Sequence, residues 1–200
     1  ALGGARDLWI LALEGREQDP QVHDQGLPSD ELVALAAAPD LVAGARAMRV
    51  GHALDPGTEM GPVVSTEQLA ANLDYVALGR AEGAELACGG ARLNMAQEGH
   101  YMSPAVFTGT TNAMRINREE MFAPIACVIK AGGYDEALEI VNDTEFGLTS
   151  GIVTRDLARA THFRRNARTG CVMVNLPTAG TDYHVPFGGR GDSSYGPREQ

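Results

Sequence analysis

Residues 125 to 175 alternate between short apolar runs and amphipathic segments, and this alternation leaves few folds open. Three runs rich in aliphatic residues have the length of strands. Two segments with apolar residues at helical spacing separate them. Strand, helix, strand, helix, strand at this spacing predicts crossover connections and a parallel sheet. We therefore predict an α/β fold with a mostly parallel sheet and crossover helices, built from IACVIK (125–130), YDEALEIVNDT (134–144), TSGIVT (149–154), DLARATHFRRNA (156–167) and GCVMVN (170–175).

Several helix ends are also marked in the sequence. Ser65, followed three residues later by Gln68, predicts a capping box at the start of a helix. Gly83 is the expected stop of that helix. Asp135 is the candidate N-cap of the first crossover helix. One face of the second crossover helix is expected to be apolar, formed by Leu157, Ala160 and Phe163.

The first 39 residues read differently from the rest. After LWILAL (8–13), the chain is polar and is interrupted by Pro20, Gly26 and Pro28. We predict that residues 1–39 are an atypical, poorly ordered segment, with a short helix starting at Ser29 or Asp30. Residues 40–200 are expected to form the folded α/β part.

Charge and cysteine content exclude several classes of function. The net charge is -10 and the isoelectric point is near 4.9. Nucleic acids and anionic membranes favour basic surfaces, so we predict neither as a partner. The five histidines show no metal-ligand spacing, so no metal site is predicted. The cysteines are odd in number and widely spaced, which favours a reducing, cytoplasmic compartment; they are Cys88, Cys127 and Cys171.

Two stretches are candidates for a functional site. Glu119 and Glu120 stand directly before Met-Phe-Ala-Pro and the apolar strand run. From the residues alone, the favoured interpretation is a carboxylate pair at a helix end beside a core phenylalanine. The second candidate follows Asn175, where a long Gly- and Pro-rich stretch begins at the carboxyl end of a predicted parallel strand. α/β proteins build their sites at such ends.

Four motifs, in order, carry a resemblance to a known family. They are REEMFAP, NDTEFGLTSGIVTRDLARA, TGCVMVN and VPFGG. Together they resemble the NAD(P)-dependent aldehyde dehydrogenase superfamily, and they cover the C-terminal part of its catalytic domain over roughly residues 40–200. The stretch MVNLPTAGTDYHVPFGGR is similar to the branch that oxidises α-ketoglutaric semialdehyde (2,5-dioxopentanoate).

The resemblance implies roles for the carboxylate pair. In the family's motif, the second glutamate bonds the nicotinamide ribose, and the phenylalanine packs beside the nicotinamide ring. The matching residues are Glu120 and Phe122, and the implied cofactor is NAD or NADP. An ionised carboxylate can accept hydrogen bonds from both hydroxyls of a ribose diol. Ala123 replaces the family's glycine and restricts the backbone there.

The loop after Asn175 resembles the family's substrate tunnel, which implies a small aldehyde as substrate. Phe187 would lie near the aldehyde. If the substrate carries a distal carboxylate, His184 and Arg190 are the candidate donors. That both are simply solvated loop residues is an equally good interpretation. This branch usually has a lysine after PFGGR, where the chain has Gly191 and Asp192, and the lost charge is expected to weaken loop anchoring or substrate attraction.

The nucleophile that the family needs is missing. Aldehyde oxidation in the family begins with attack by a cysteine thiolate. That cysteine is expected upstream of MRVGHALDPGTEMGP, where LWILALEGREQDP contains none. Cys127 and Cys171 fall in apolar strand runs, and Cys88 ends a short strand, so we predict no catalytic residue in this chain.

Two interpretations follow. The first is a fragment of an NAD(P)-dependent semialdehyde dehydrogenase that is inactive alone and forms a homo-oligomer when complete. The alternative is a non-catalytic relic that acts only as a binding or assembly partner.

Overall fold

The fold is described from a computed structural model that covers residues 10–13, 30–179 and 184–195, with side chains from residue 38 onward. Contacts group the chain into two compact units, Ala1–Ala12 with Ala36–Lys130, and Leu13–Leu35 with Ala131–Gln200. The elements are, in order, β1 (Ile10–Leu13), α1 (Asp30–Ala47), α2 (Thr66–Ala81), β2 (Glu85–Cys88), β3 (Arg92–Leu93), β4 (Tyr101–Met102), β5 (Ala105–Thr110), α3 (Arg115–Arg118), β6 (Ile125–Lys130), α4 (Tyr134–Asn142), β7 (Thr149–Ile152), α5 (Leu157–Asn166), β8 (Cys171–Val174) and a 3₁₀ helix (Gly191–Ser193).

The first unit is built on a four-stranded sheet of order β1-β6-β5-β2. Strands β5 and β6 run parallel, whereas β2 is antiparallel to β5. Helix α2 packs closely on this sheet at Gly79, where an added Cβ would lie 2.9 Å from the ring of Phe107. Phe107 and Ile116 are fully buried at the centre of this core. Around them the core contains Leu69, Val76, Ala84, Met102, Ala105, Ile125 and Cys127.

The second unit contains the parallel pair β7–β8, connected through α5. Phe163 is the buried residue of α5. The hydroxyl of Ser150 in β7 and that of Thr169, just before β8, share a hydrogen bond of 2.6 Å, which satisfies two buried polar groups. The unit is therefore held by one parallel strand pair and its crossover helix.

The predicted α/β class with parallel strands and crossover helices is confirmed, but the distribution of strands differs from the expectation. Strand β6 was expected to share a sheet with β7 and β8. Instead it lies between β1 and β5, so both of its hydrogen-bonding edges are occupied. Among the described residues, β7 and β8 pair only with each other.

Helix ends are confirmed in part. Ser65 is the N-cap of α2, and α2 ends just before Gly83, which has a φ of 92°. Asp135 is not the cap of α4. That helix starts at Tyr134 after Gly133, and the Glu136 carboxylate accepts a hydrogen bond from the Gly132 amide at 2.5 Å. The start of α4 therefore lies one residue before Asp135, after Gly132 and Gly133, where the Glu136 side chain accepts from the Gly132 amide.

Other expectations about helices changed as well. Leu157 was expected on the buried face of α5 but is 80% exposed, because it is the first residue after the Asp156 N-cap. The helix predicted from Asp30 continues through Pro39 to Ala47 as one helix. The predicted disorder of residues 1–39 concerns mainly residues outside the described part, and it stays a prediction.

Candidate functional site

The carboxylate pair lies directly after α3, and α3 is fixed at its start by a side chain from elsewhere. The Glu82 carboxylate accepts hydrogen bonds from the backbone amides of Arg115, at 2.8 Å, and Ile116, at 3.4 Å. These are two of the amides that a helix start leaves without a helical partner. Because Glu82 follows α2, this contact joins the end of α2 to the start of α3.

Glu119 is held in place by two partners. Arg115 donates to both of its carboxylate oxygens, at 2.6 and 3.2 Å, and the Tyr75 hydroxyl donates at 3.1 Å. The Arg115 guanidinium, with a smaller contribution from the Tyr75 hydroxyl, lowers the pKa of Glu119. In return, burial and the neighbouring carboxylate raise the pKa of Tyr75. Glu119 is therefore an ionised anchor that ties the segment to α2.

Glu120 is the exposed member of the pair. Its neighbour's carboxylate is engaged by Arg115 and Tyr75, which divides the pair into an anchoring residue and an outward-facing one. The ribose-binding role of Glu120 stays a prediction from the motif.

Phe122 is not the core residue that the residues alone favoured. Its side chain is 50% exposed, and its φ of 50° lies in the left-handed region. Bulky residues rarely adopt that conformation, which costs about 1–3 kcal/mol and is found disproportionately at functional sites. Ala123, which replaces the family's glycine, is not among the residues with positive φ, so the extra methyl group is accommodated.

Gln68 also reaches this segment, and sequence analysis missed it. The capping box is only half formed, because Ser65 accepts from the Gln68 backbone amide at 3.2 Å while the Gln68 side chain points elsewhere. Its amide nitrogen lies 3.4 Å from the carbonyl oxygens of both Met121 and Phe122. The sequence gives no signal for this contact, because Gln68 and Phe122 are 54 positions apart.

The predicted substrate residues lie together on residues 184–190 of the second unit. His184 and Arg190 are exposed, and Phe187 is 37% exposed. The end of this stretch is anchored, because the Arg190 amide donates to Gly147 O at 2.8 Å. An added Cβ at Gly170 would overlap the carbonyl of Gly188, which shows how closely the two backbones approach.

Backbone contacts also surround Gly191, where the branch usually has a lysine. Gly191 has a φ of 53°, and an added Cβ there would lie 2.2 Å from the carbonyl oxygen of Glu145. The next amide, from Asp192, donates to that same carbonyl at 2.9 Å. Any side chain at position 191 would therefore disturb this packing, while the expected effect of the missing lysine charge stays a prediction.

Asn175 joins the carboxyl ends of β7 and β8. Its side-chain oxygen accepts from the Thr154 amide at 2.8 Å, and its side-chain nitrogen donates to the Thr154 carbonyl at 2.9 Å. Its φ of 56° is left-handed, a conformation that asparagine tolerates better than most residues. The role seen for Asn175 is to fix the strand ends from which the loop departs.

None of the three cysteines is placed as a nucleophile. All are buried free thiols. Burial, with a smaller contribution from Glu82, raises the pKa of Cys127 to about 12. A thiol of this kind holds almost no thiolate at neutral pH. Within residues 10–13, 30–179 and 184–195, no cluster of His, Cys, Asp and Glu could hold a metal ion, and no helix there is long and apolar enough to cross a membrane.

The fold and these segments define an α/β chain with a strained, carboxylate-bearing segment before a central strand and a backbone-anchored loop after a parallel pair. The model of the aldehyde dehydrogenase family matches residues 31–200. The chain belongs to the aldehyde dehydrogenase family.

Individual relatives support this family membership. The chain is 42% identical over 158 residues to a betaine aldehyde dehydrogenase of Mesorhizobium japonicum, covering 78% of this chain and 32% of the relative. It is 42% identical over 154 residues to an α-ketoglutarate semialdehyde dehydrogenase of Haloferax volcanii, covering 75% of this chain and 31% of the relative. The chain thus spans about a third of the length of these relatives.

Solved structures resemble it as well. HpcC from Thermus thermophilus is 39% identical with a TM-score of 0.74, over 79% of this chain and 32% of that one. A betaine aldehyde dehydrogenase from Staphylococcus aureus, solved in complex with NAD+, is 30% identical with a TM-score of 0.74, over 78% of this chain and 31% of that one.

Proposed function

We propose that this chain is part of an NAD(P)-dependent aldehyde dehydrogenase that oxidises a semialdehyde to a carboxylic acid, and that it holds the nicotinamide-ribose end of the cofactor. The observation that carries the proposal is the pairing of an outward-facing Glu120 with the half-exposed, left-handed Phe122. Membership of the family and the NAD+ complex of a relative support it.

The residues present fit such a cofactor. Glu120 would accept hydrogen bonds from the ribose hydroxyls, and Phe122 would lie against the nicotinamide ring. NAD(P), when bound, supplies the hydride acceptor for aldehyde oxidation. Glu119, through Arg115 and Tyr75, keeps the segment that bears both residues in place.

For the substrate, we propose an aldehyde with a distal carboxylate. His184 and Arg190 would attract that carboxylate, and Phe187 would contact the aldehyde end. The names of the relatives include substrates of opposite charge, betaine aldehyde and α-ketoglutarate semialdehyde. The exposed cationic Arg190 favours the anionic one.

The chain alone is proposed to be inactive. The family's reaction needs an accessible thiolate, and the three thiols here are buried. The complete protein, with its cysteine and nucleotide domain, is proposed to form a homo-oligomer in the cytoplasm. The buried thiols equally support the second candidate, a non-catalytic partner that binds other dehydrogenase subunits.

The test uses a chimera in which residues 40–200 replace the matching part of the Haloferax enzyme. We expect the chimera to oxidise α-ketoglutarate semialdehyde with NAD or NADP, and the 200-residue chain alone to oxidise nothing. Arg190→Ala in the chimera should lower kcat/KM for the semialdehyde about tenfold, because it removes the cation proposed to attract the distal carboxylate. A folded chimera without activity contradicts the proposal, and co-elution of the chain with an intact relative would then favour the partner role.

A further inference from the structure

Gln68 links α2 to the backbone on both sides of Phe122. Its side-chain nitrogen lies 3.4 Å from the carbonyl oxygen of Met121 and 3.4 Å from that of Phe122. Each distance is long for a hydrogen bond, so each contact alone is weak. Their value lies in their positions, because the two carbonyls belong to the two peptide units that flank the Phe122 Cα.

Holding both peptide units fixes the backbone of Phe122. Rotation about φ and ψ of one residue turns these two units relative to each other. In an extended chain, successive carbonyls point in opposite directions, whereas in a helical conformation of either hand they point the same way. A donor close to both carbonyls requires them to lie on the same side of the chain, and the φ of Phe122, 50°, lies in the left-handed region.

Asn72 fixes the Gln68 amide from inside the core. Asn72 is fully buried, and its side-chain oxygen accepts from the Gln68 side-chain nitrogen at 2.7 Å. Its own nitrogen lies 3.5 Å from the sulfur of Met102, which is itself 1% exposed. Because Asn72 offers an acceptor, Gln68 must present its NH2 group there, and the same group faces the two carbonyls.

We propose that Gln68 and Asn72 are positioning residues that hold Phe122 in its left-handed conformation and keep its ring exposed for the nicotinamide. The role given to the ring rests on the proposed function. The conformational part does not, since it follows from the contacts of Gln68 and the φ of Phe122.

A double-mutant cycle on the 200-residue chain tests the conformational part without any nucleotide. Gln68→Met keeps the size of the side chain but removes its donor. Phe122→Gly removes the cost of the left-handed backbone. We expect Gln68→Met to lower the folding equilibrium constant about fivefold less with Phe122 present than in the Phe122→Gly background, because loss of Gln68 lets Phe122 leave its costly left-handed conformation, whereas glycine has no such cost to recover; the coupling is typical of residues in contact. Equal losses in both backgrounds would overturn the inference.

A matched control and a second variant keep the test decisive. Gln97→Met makes the same change at an exposed position and should show no coupling to Phe122. If Gln68→Met does not fold, Gln68→Glu replaces it, because a carboxylate near the start of α2 favours the helix but cannot donate. Backbone chemical shifts of Phe122 should then lose their left-handed values, and unchanged shifts would contradict the inference.

Nicotinamide mononucleotide, titrated into the same variants, tests the role of the ring. Gln68→Met should weaken its binding about tenfold relative to the unaltered chain and the Gln97→Met control. Equal binding by the unaltered chain, Gln68→Met and Gln97→Met would show that the contact of the Phe122 ring with the nicotinamide does not depend on Gln68. Failure of every variant and of the unaltered chain to bind would instead count against the proposed function, while the stability cycle still tests the conformational role of Gln68.

Discussion

The Tyr75 hydroxyl donates a hydrogen bond of 3.1 Å to Glu119, across 44 positions of sequence. Arg115 engages the same carboxylate through two donors. Three elements therefore meet at one carboxylate: α2, α3 and the segment that leads into β6. The neighbouring Glu120 is thereby presented outward from a fixed backbone.

Glu119→Gln should destabilise the first unit, because it removes a charge-assisted pair with Arg115. Both side chains are partly exposed, so we expect a loss of about 0.5–1 kcal/mol in the free energy of unfolding, measured by urea denaturation. The pKa of Glu119 is lowered in the folded state from its ordinary 4.5. Its stabilising contribution is therefore complete above that pH and is lost as the pH falls through the folded pKa.

The matched control is Glu120→Gln, the same change one position along. It should alter the free energy of unfolding less than Glu119→Gln does, because Glu120 is exposed. A larger effect at Glu120, or a Glu119→Gln difference that persists undiminished in acid, would contradict this assignment of the two carboxylates.

Cys127 should resist alkylation in the native chain. With a pKa near 12, its thiol carries almost no thiolate at about pH 8, and burial excludes the reagent. Iodoacetamide followed by mass spectrometry should find Cys127 unmodified under native conditions and fully modified in guanidinium. Rapid native modification of Cys127 would reopen the question of a nucleophile within this chain.

Asn175→Ala should destabilise the second unit by about 2–3 kcal/mol, because it removes two hydrogen bonds to Thr154 and leaves an alanine in a left-handed conformation. Asn175→Gly also loses the bonds but tolerates that conformation, and it should cost about 1 kcal/mol less. Thermal unfolding of the pair measures the difference. An alanine variant as stable as the glycine variant would show that backbone conformation plays no part.

Gly191→Ala should also destabilise the second unit, by about 1–2 kcal/mol, because of its left-handed φ and the close carbonyl of Glu145. Gly44→Ala is the control, since it lies inside α1 with open space around it and should stabilise that helix by about 0.5–1 kcal/mol. In denaturant unfolding, Gly191→Ala should lower the free energy of unfolding and Gly44→Ala should raise it. Gain of stability from Gly191→Ala would refute backbone anchoring of the loop.

Much of the fold could be predicted because it depends on local patterns. The apolar runs became β6, β7 and β8, and the spacing of apolar residues located α4 and α5. The sheet to which β6 belongs could not be predicted, because pairing depends on which strands occupy its edges. Leu157 likewise matched the helical period, yet its position at the helix start leaves it exposed.

The candidate site was predictable only where a motif marks it. The motif singled out Glu120 and Phe122, but it did not show that Arg115 and Tyr75 hold Glu119. Nor did it show that Gln68, predicted as part of a capping box, turns its side chain toward Met121 and Phe122. Such contacts between residues distant in sequence arise only when the core brings α2 beside the segment.

The most direct test of the central claim is titration of nicotinamide mononucleotide into the isotope-labelled 200-residue chain, followed by NMR. The claim predicts shifts concentrated on residues 119–123, lost in Glu120→Gln but retained in the Gln97→Met control. Shifts that are absent from residues 119–123, or that are unchanged in Glu120→Gln, would contradict it.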